Sequence, residues 1–311
     1  MLSINCKEIF EQYYQNKYDF NTSSLTLEEI EDIKKMTREK RVDYALAPIG
    51  TGIFDWILKQ NNNIRFELVD FNSEKIDGRL YVPTTGKERA YIILNSNKPL
   101  INQIFTAAHE YYHYEMDYQK FKSNPFICDF NILKNVNEMR ASRFAAELLL
   151  PEDALSREIK NYQKLMLHTS NKNMKFNDYA TLSIFLTIKY QMPLKAVIYR
   201  LAEEHHIDNI DNYIENYDFM KKILQQIKIF EKQVKELYNK ENKHLILYSS
   251  TYQDMEKAFI LGNASKENIL KDASKLNLDI NLIKELLIET YDENDEDDDD
   301  ELFSIINSKQ R

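Results

Sequence analysis

Apolar residues recur at helical intervals along most of the chain, and the pattern changes to two-residue alternation only between positions 64 and 95. There Ile64, Phe66 and Leu68 alternate with Arg65 and Glu67. Together with the β-branched and aromatic content of the neighbouring segments, this predicts strands over Ile64–Phe71, Gly78–Val82 and Arg89–Asn95. Asp77-Gly78 and Thr85-Gly86 mark the turns. Before the strands, helices are expected near residues 5–17, from Thr26, and over Thr51–Gln60. Thr26 with Glu29 three residues on has the form of a capping box, and Leu25 and Ile30 flank it as a hydrophobic staple. After the strands, Pro99 suits the first turn of a helix over Leu100–Lys122. A loop around Pro125 and a helix over Val136–Leu149 follow, the latter stopping before Pro151. Further helices are expected over 153–165, 177–190 and 193–205.

All six prolines and four of the five glycines precede position 194, so the last third should be nearly all helix, with Gly262 as its breaker. A seven-residue pattern there, Met220, Ile223, Ile227, Phe230, Val234 and Leu237, has the form of a coiled-coil or partner-docking stripe. Packing back onto the preceding domain is the commoner fate of such a stripe. The fold class expected is α+β and predominantly helical. A small three-stranded, antiparallel-type sheet packs on the helix of Leu100–Lys122, and the carboxy-terminal region is all helical.

Composition adds exclusions. Apolar residues at 43% and charged residues at 29% are those of a globular protein. No run approaches the ~18 apolar residues of a membrane span, and MLSINCKEIFEQYYQNK has no signal-peptide core, so a cytoplasmic protein with no membrane association is expected. Cys6 and Cys128 form no paired spacing, which leaves a disulfide framework or cysteine-based zinc cluster unsupported. The net charge of −9 resides in Asp292–Glu301, which holds nine acidic residues and no basic one. The rest of the chain is neutral overall, which argues against direct nucleic-acid binding. The acidic run is expected to be a solvated, disordered tail.

Within the long helix lies His109-Glu110-Tyr111-Tyr112-His113, the HExxH pattern. Imidazoles four residues apart lie ~40° from one another around a helix, so both can reach one ion. Glu110, offset by ~100° from His109, stands beside such an ion without binding it and is placed to act as a general base. Zinc suits the donors because it takes imidazole and carboxylate ligands tetrahedrally and leaves a position open. Manganese is the alternative ion.

A third ligand is needed. In HExxHxxGxxH the glycine and the third histidine would fall at positions 116 and 119, where this chain has Met116 and Gln119. The next helix offers Glu138 and Glu147, nine residues apart and so half a turn out of phase; only one can face the ion. Glu138 is the better placed, 25 residues after His113, whereas Glu147 interrupts the apolar run FAAELLLP and reads as a helix-surface or supporting carboxylate.

FTAAHEYYH followed by EMRASRFAAELLLP resembles the ImmA/IrrE family of metallopeptidases, in which an HExxH helix is followed by a helix of the form E-x-x-A-N-x-F-A-A-x-L-L-M-P. The likeness covers roughly residues 40–205 and is strongest over 104–151. It implies that His109, His113 and Glu138 are zinc ligands and that Glu110 is the catalytic base. Two departures stand out: Ser142 replaces the family's asparagine, and Gln103-Ile104 stands where an arginine is common. By the same resemblance, strand Arg89–Asn95 would be an edge strand able to pair with an extended substrate. Residues 177–205 look like the helix-turn-helix-like segment that closes the family's catalytic region, here with few basic residues and a structural role expected. Tyr111, Tyr112 and Tyr114 lie near enough in sequence to be oxyanion donors, without a basis for choosing among them. His205-His206 is expected to be a solvated helix end.

The function expected is that of a zinc metalloendopeptidase acting on a regulatory protein, such as a helix-turn-helix repressor. Two rivals remain: a metal-containing protein that sequesters a partner through its carboxy-terminal helices, and a peptidase toxin of a toxin–antitoxin pair. The domain plan is 1–40 amino-terminal helices, 41–205 metallopeptidase domain, 206–291 helical module and 292–311 acidic tail.

Overall fold

The computed structural model describes residues 25–73, 75–83, 89–123, 136–166, 174–240, 250–275, 280, 281, 283, 284 and 287. The expected helix at 5–17, both cysteines, the Thr85-Gly86 turn, the Pro125 loop and the acidic tail lie outside these residues. The chain divides into two compact units, Met1–Ile246 and Leu247–Arg311.

The first unit opens with α1 (Leu27–Lys40). Thr26 Oγ accepts the Glu29 N–H at 3.2 Å while Glu29 returns a carboxylate to the Thr26 N–H at 2.7 Å, the reciprocal cap expected from Thr-x-x-Glu. A short 3-10 turn at Gly50–Gly52 leads into α2 (Ile53–Gln60), whose Ile53, Phe54, Trp56 and Ile57 are buried. Strands β1 (Ile64–Val69), β2 (Gly78–Tyr81) and β3 (Ala90–Asn95) form one sheet in the order β1-β3-β2. Alternation carries one face inward: Ile64, Phe66, Leu80, Ile92 and Leu94 are all at most 1% exposed.

Two expectations about the sheet need correction. It is mixed, since β1 pairs with β3 in parallel, Ile64 opposite Ala90, while β2 pairs with β3 antiparallel, Leu80 opposite Ile92. In addition, β3 is the central strand with both edges paired, so among the described residues the unpaired edge beside the long helix belongs to β2.

That helix, α3 (Leu100–Ser123), packs on β2, β3, α2 and the second motif helix, α4 (Val136–Leu149). Then come α5 (Glu152–Met166), α6 (Phe176–Tyr190) and α7 (Leu194–Glu203). Six of the ten residues of α7 are buried, Arg200 among them, so the second helix of the helix-turn-helix-like segment is a core helix. Its end is a Schellman cap: the His206 N–H bonds Leu201 O and the His205 N–H bonds Ala202 O, with His205 at φ 55°.

The seven-residue stripe is not one helix. It breaks at Ile227, which is extended, and a 3-10 turn at Lys228–Phe230 divides it after α8 (Ile210–Glu215) into α9 (Tyr217–Gln226) and α10 (Glu231–Tyr238). Of the stripe, Met220, Val234 and Leu237 turn inward, whereas Ile223 is exposed and Leu224 takes the buried place beside it; α10 packs against α3. The second unit contains α11 (Ser250–Ile260), closed by Gly262 at φ +67°, and α12 (Lys266–Lys275). Its core joins Ile269, Ala273, Ile283 and Leu287. No described helix is long and apolar enough to cross a membrane.

Candidate metal centre

Helix phase brings His109 and His113 to one side of α3, with ring centroids 5.0 Å apart. Glu138, in the first turn of α4, reaches across to both. Its Oε2 lies 3.1 Å from His109 Nε2 and its Oε1 3.3 Å from His113 Nε2. One donor atom from each of the three residues falls within 4.8 Å of the others, the one such group among the described residues. A tetrahedral ion with bonds of ~2.0–2.1 Å sets its ligands ~3.3 Å apart, so the carboxylate–imidazole separations match a shared ion. The buried Nε2 of His113 also makes no hydrogen bond, as expected of a ligand nitrogen. The residues present therefore fit a divalent metal.

The other ring nitrogens are taken up elsewhere. His109 Nδ1 lies 3.3 Å from Ser142 Oγ on α4, and His113 Nδ1 lies 3.0 Å from Asp117 Oδ2 one turn further along α3. Asp117 is buried and also accepts from Lys120 Nζ. Burial works against a charged His113, but Asp117 and Glu138 outweigh it and push its pKa up to about 10 when no ion is present. Burial likewise opposes ionisation of Glu138, yet the two imidazoles that face its oxygens hold its carboxyl well below the ordinary range.

Glu110 projects from the same helix toward the free strand. Its Oε2 accepts the Leu80 N–H at 2.8 Å, which ties the carboxylate to the edge of β2. Burial pushes its pKa up, and nearby Glu138 adds to this, against the lowering effect of His109, His113 and the Leu80 N–H. A buried carboxylate with a raised pKa is a stronger base than a solvated one.

Glu147 has a different role from the one expected. It is 2% exposed, accepts the Glu152 N–H at 2.9 Å at the start of α5, and pairs with Arg200. It is a core carboxylate, neither on the helix surface nor in the ligand cluster. Among the tyrosines, Tyr111 is buried with its hydroxyl 3.1 Å from Lys40 Nζ, while the Tyr112 ring packs against Phe144 and His113. The sequence reading missed Asp117. The signal was present as an acidic residue four positions after the second histidine, where a helix brings side chains together.

Residues 60–202 match the family model described as the IrrE N-terminal-like domain, a peptidase family. Both motif helices and all three strands lie inside that match, which supports the resemblance drawn from the two motifs. This region is similar to a metallopeptidase domain of the ImmA/IrrE kind. Comparisons with curated proteins and with solved structures find no match.

Proposed function

We propose that the protein is a zinc metalloendopeptidase in which His109, His113 and Glu138 hold the ion and Glu110 is the catalytic base. The observation that carries this reading is the convergence of two imidazoles and a carboxylate from a second helix, with a buried, raised-pKa glutamate beside them. Two nitrogen donors and one oxygen donor with room for a fourth ligand is the donor set of catalytic zinc, and manganese would accept it too. A bound ion supplies a Lewis acid that polarises the peptide carbonyl and makes nearby water more acidic. Glu110 takes the proton of the attacking water and returns it to the departing amine. The Leu80 N–H keeps that carboxylate at the sheet edge, so the base is held before substrate arrives. An extended peptide would approach along β2, the free strand, and not along β3.

The substrate class is a protein, in line with the peptidase domain. A regulatory substrate such as a helix-turn-helix repressor is proposed from the family resemblance. The test is incubation of the purified protein, loaded with zinc or manganese, with repressors encoded by neighbouring genes, followed by mass measurement of the products. One defined cut is expected, and Glu110→Gln should retain metal and lose the cut. Cutting that survives in Glu110→Gln would overturn the role of Glu110; a biological effect that survives it without any cutting would point to sequestration.

A further inference from the structure

We infer that Asp117 is a positioning residue that selects the tautomer and orientation of His113, and that Ser142 supports His109 only weakly. The inference rests on reading His109, His113 and Glu138 as ligands.

A neutral imidazole carries one N–H and one lone pair, and the partner of one nitrogen decides the state of the other. An ionised carboxylate can only accept, so Asp117 Oδ2 at 3.0 Å places the proton on Nδ1 of His113. The lone pair then lies on Nε2, the buried nitrogen that faces Glu138 without a hydrogen bond. Asp117 has its own anchor in Lys120 Nζ, a cation that closes the row His113, Asp117, Lys120. Ser142 is different in kind: its hydroxyl both donates and accepts, and it sits farther off, at 3.3 Å from His109 Nδ1. A hydroxyl there does not dictate which nitrogen of His109 is protonated. The two ligand histidines are thus held unequally, His113 by a buried anion and His109 by a neutral group.

An ordinary helix-stabilising pair between His113 and Asp117 would show itself in stability alone, whereas a positioning carboxylate governs metal affinity. The experiment is competition of the full chain with a chelator for Zn2+, using wild type, Asp117→Asn, Ser142→Ala and Glu138→Gln. Asp117→Asn should weaken zinc about ten- to a hundredfold, the usual effect of removing the partner of a ligand histidine. Ser142→Ala should weaken it severalfold less than that. Equal affinity of wild type and Asp117→Asn overturns the inference, as does a loss in Ser142→Ala as large as in Asp117→Asn. Histidine 15N spectra of the zinc-loaded wild type give a readout that depends on no variant: His113 should be protonated at Nδ1 and metal-bound at Nε2, and the reverse assignment overturns the inference. Failure of wild type to bind zinc, or full binding by Glu138→Gln, sinks the metal-centre reading itself and is told apart by the two controls.

Discussion

Glu138 and Glu147 lie on one helix, and their spacing of nine positions sends the two carboxylates to opposite sides. The first meets two imidazoles. The second meets Arg200, which is 0% exposed, and the start of α5. Their removal should therefore separate two observables. Glu138→Gln is expected to lower zinc affinity more than a hundredfold in a chelator competition with little change in unfolding midpoint, since it removes a proposed ligand from a partly exposed position. Glu147→Ala should leave zinc affinity within about threefold yet destabilise the fold by about 3 kcal/mol in urea unfolding, because a buried guanidinium loses a partner. At this scale the sequence was informative where chemistry follows helix phase. HExxH put both imidazoles on one side, and the half-turn offset separated the two glutamates. What Glu147 would meet was not legible, because Arg200 comes from 53 positions further on and only tertiary packing brings it there.

Among the elements, β2 carries an influence beyond its four residues. It supplies the N–H that holds Glu110 and lies flush against α3 at Gly78. A Cβ added at Gly78 would stand 2.5 Å from Thr106 Cγ2 on α3 and 2.7 Å from the Ile93 carbonyl of β3. The Ile93 carbonyl is backbone and cannot yield without moving its strand. Gly78→Ala should thus cost about 1–3 kcal/mol of stability. It should also reduce cleavage beyond that loss, as the Leu80 N–H is drawn from Glu110; activity at a temperature where the variant is fully folded checks this, and unchanged activity there would refute the link between strand and base. The strands themselves were readable from alternation, and the helices from period and caps to within a few residues. Strand order was not. Ile64, Phe66, Leu80, Ile92 and Leu94 alternate alike whichever strand lies in the middle, and nothing local tells that β3 inserts between β1 and β2. The break in the stripe at Ile227 escaped for a similar reason: no glycine or proline marks it, and the extended turn there lets Leu224 and Val234 both reach the core.

Across the first unit, four helices are joined by buried charge. Lys34 of α1 bonds Glu152 of α5 at 2.7 Å and Glu204, beyond α7, at 3.2 Å; Arg143 of α4 bonds Glu203 at 2.6 Å and also Glu204; Arg200 of α7 meets Glu147 and Glu204. Glu204 thus meets three cations. Burial raises its pKa, but Arg200, Arg143 and Lys34 outweigh that and bring it from 4.5 to about 2. A carboxyl with a depressed folded-state pKa binds protons less readily when folded than unfolded. Its contribution is complete above the unfolded value and is lost as pH falls toward the folded one. For Glu204 the window runs from 4.5 down to about 2, and the shift corresponds to roughly 3 kcal/mol. Glu203 has the opposite sign, because burial raises its pKa. Its protonation favours the folded state at pH values above 4.5, outside the window of its neighbour. Urea unfolding of wild type and Glu204→Gln from pH 7 to 2 isolates the effect, since the other carboxylates contribute to both proteins. The variant should be less stable by about 3 kcal/mol at neutral pH, and the two curves should converge between 4.5 and 2. A constant gap throughout that range would mean that the three cations are held by the fold without the charge of Glu204.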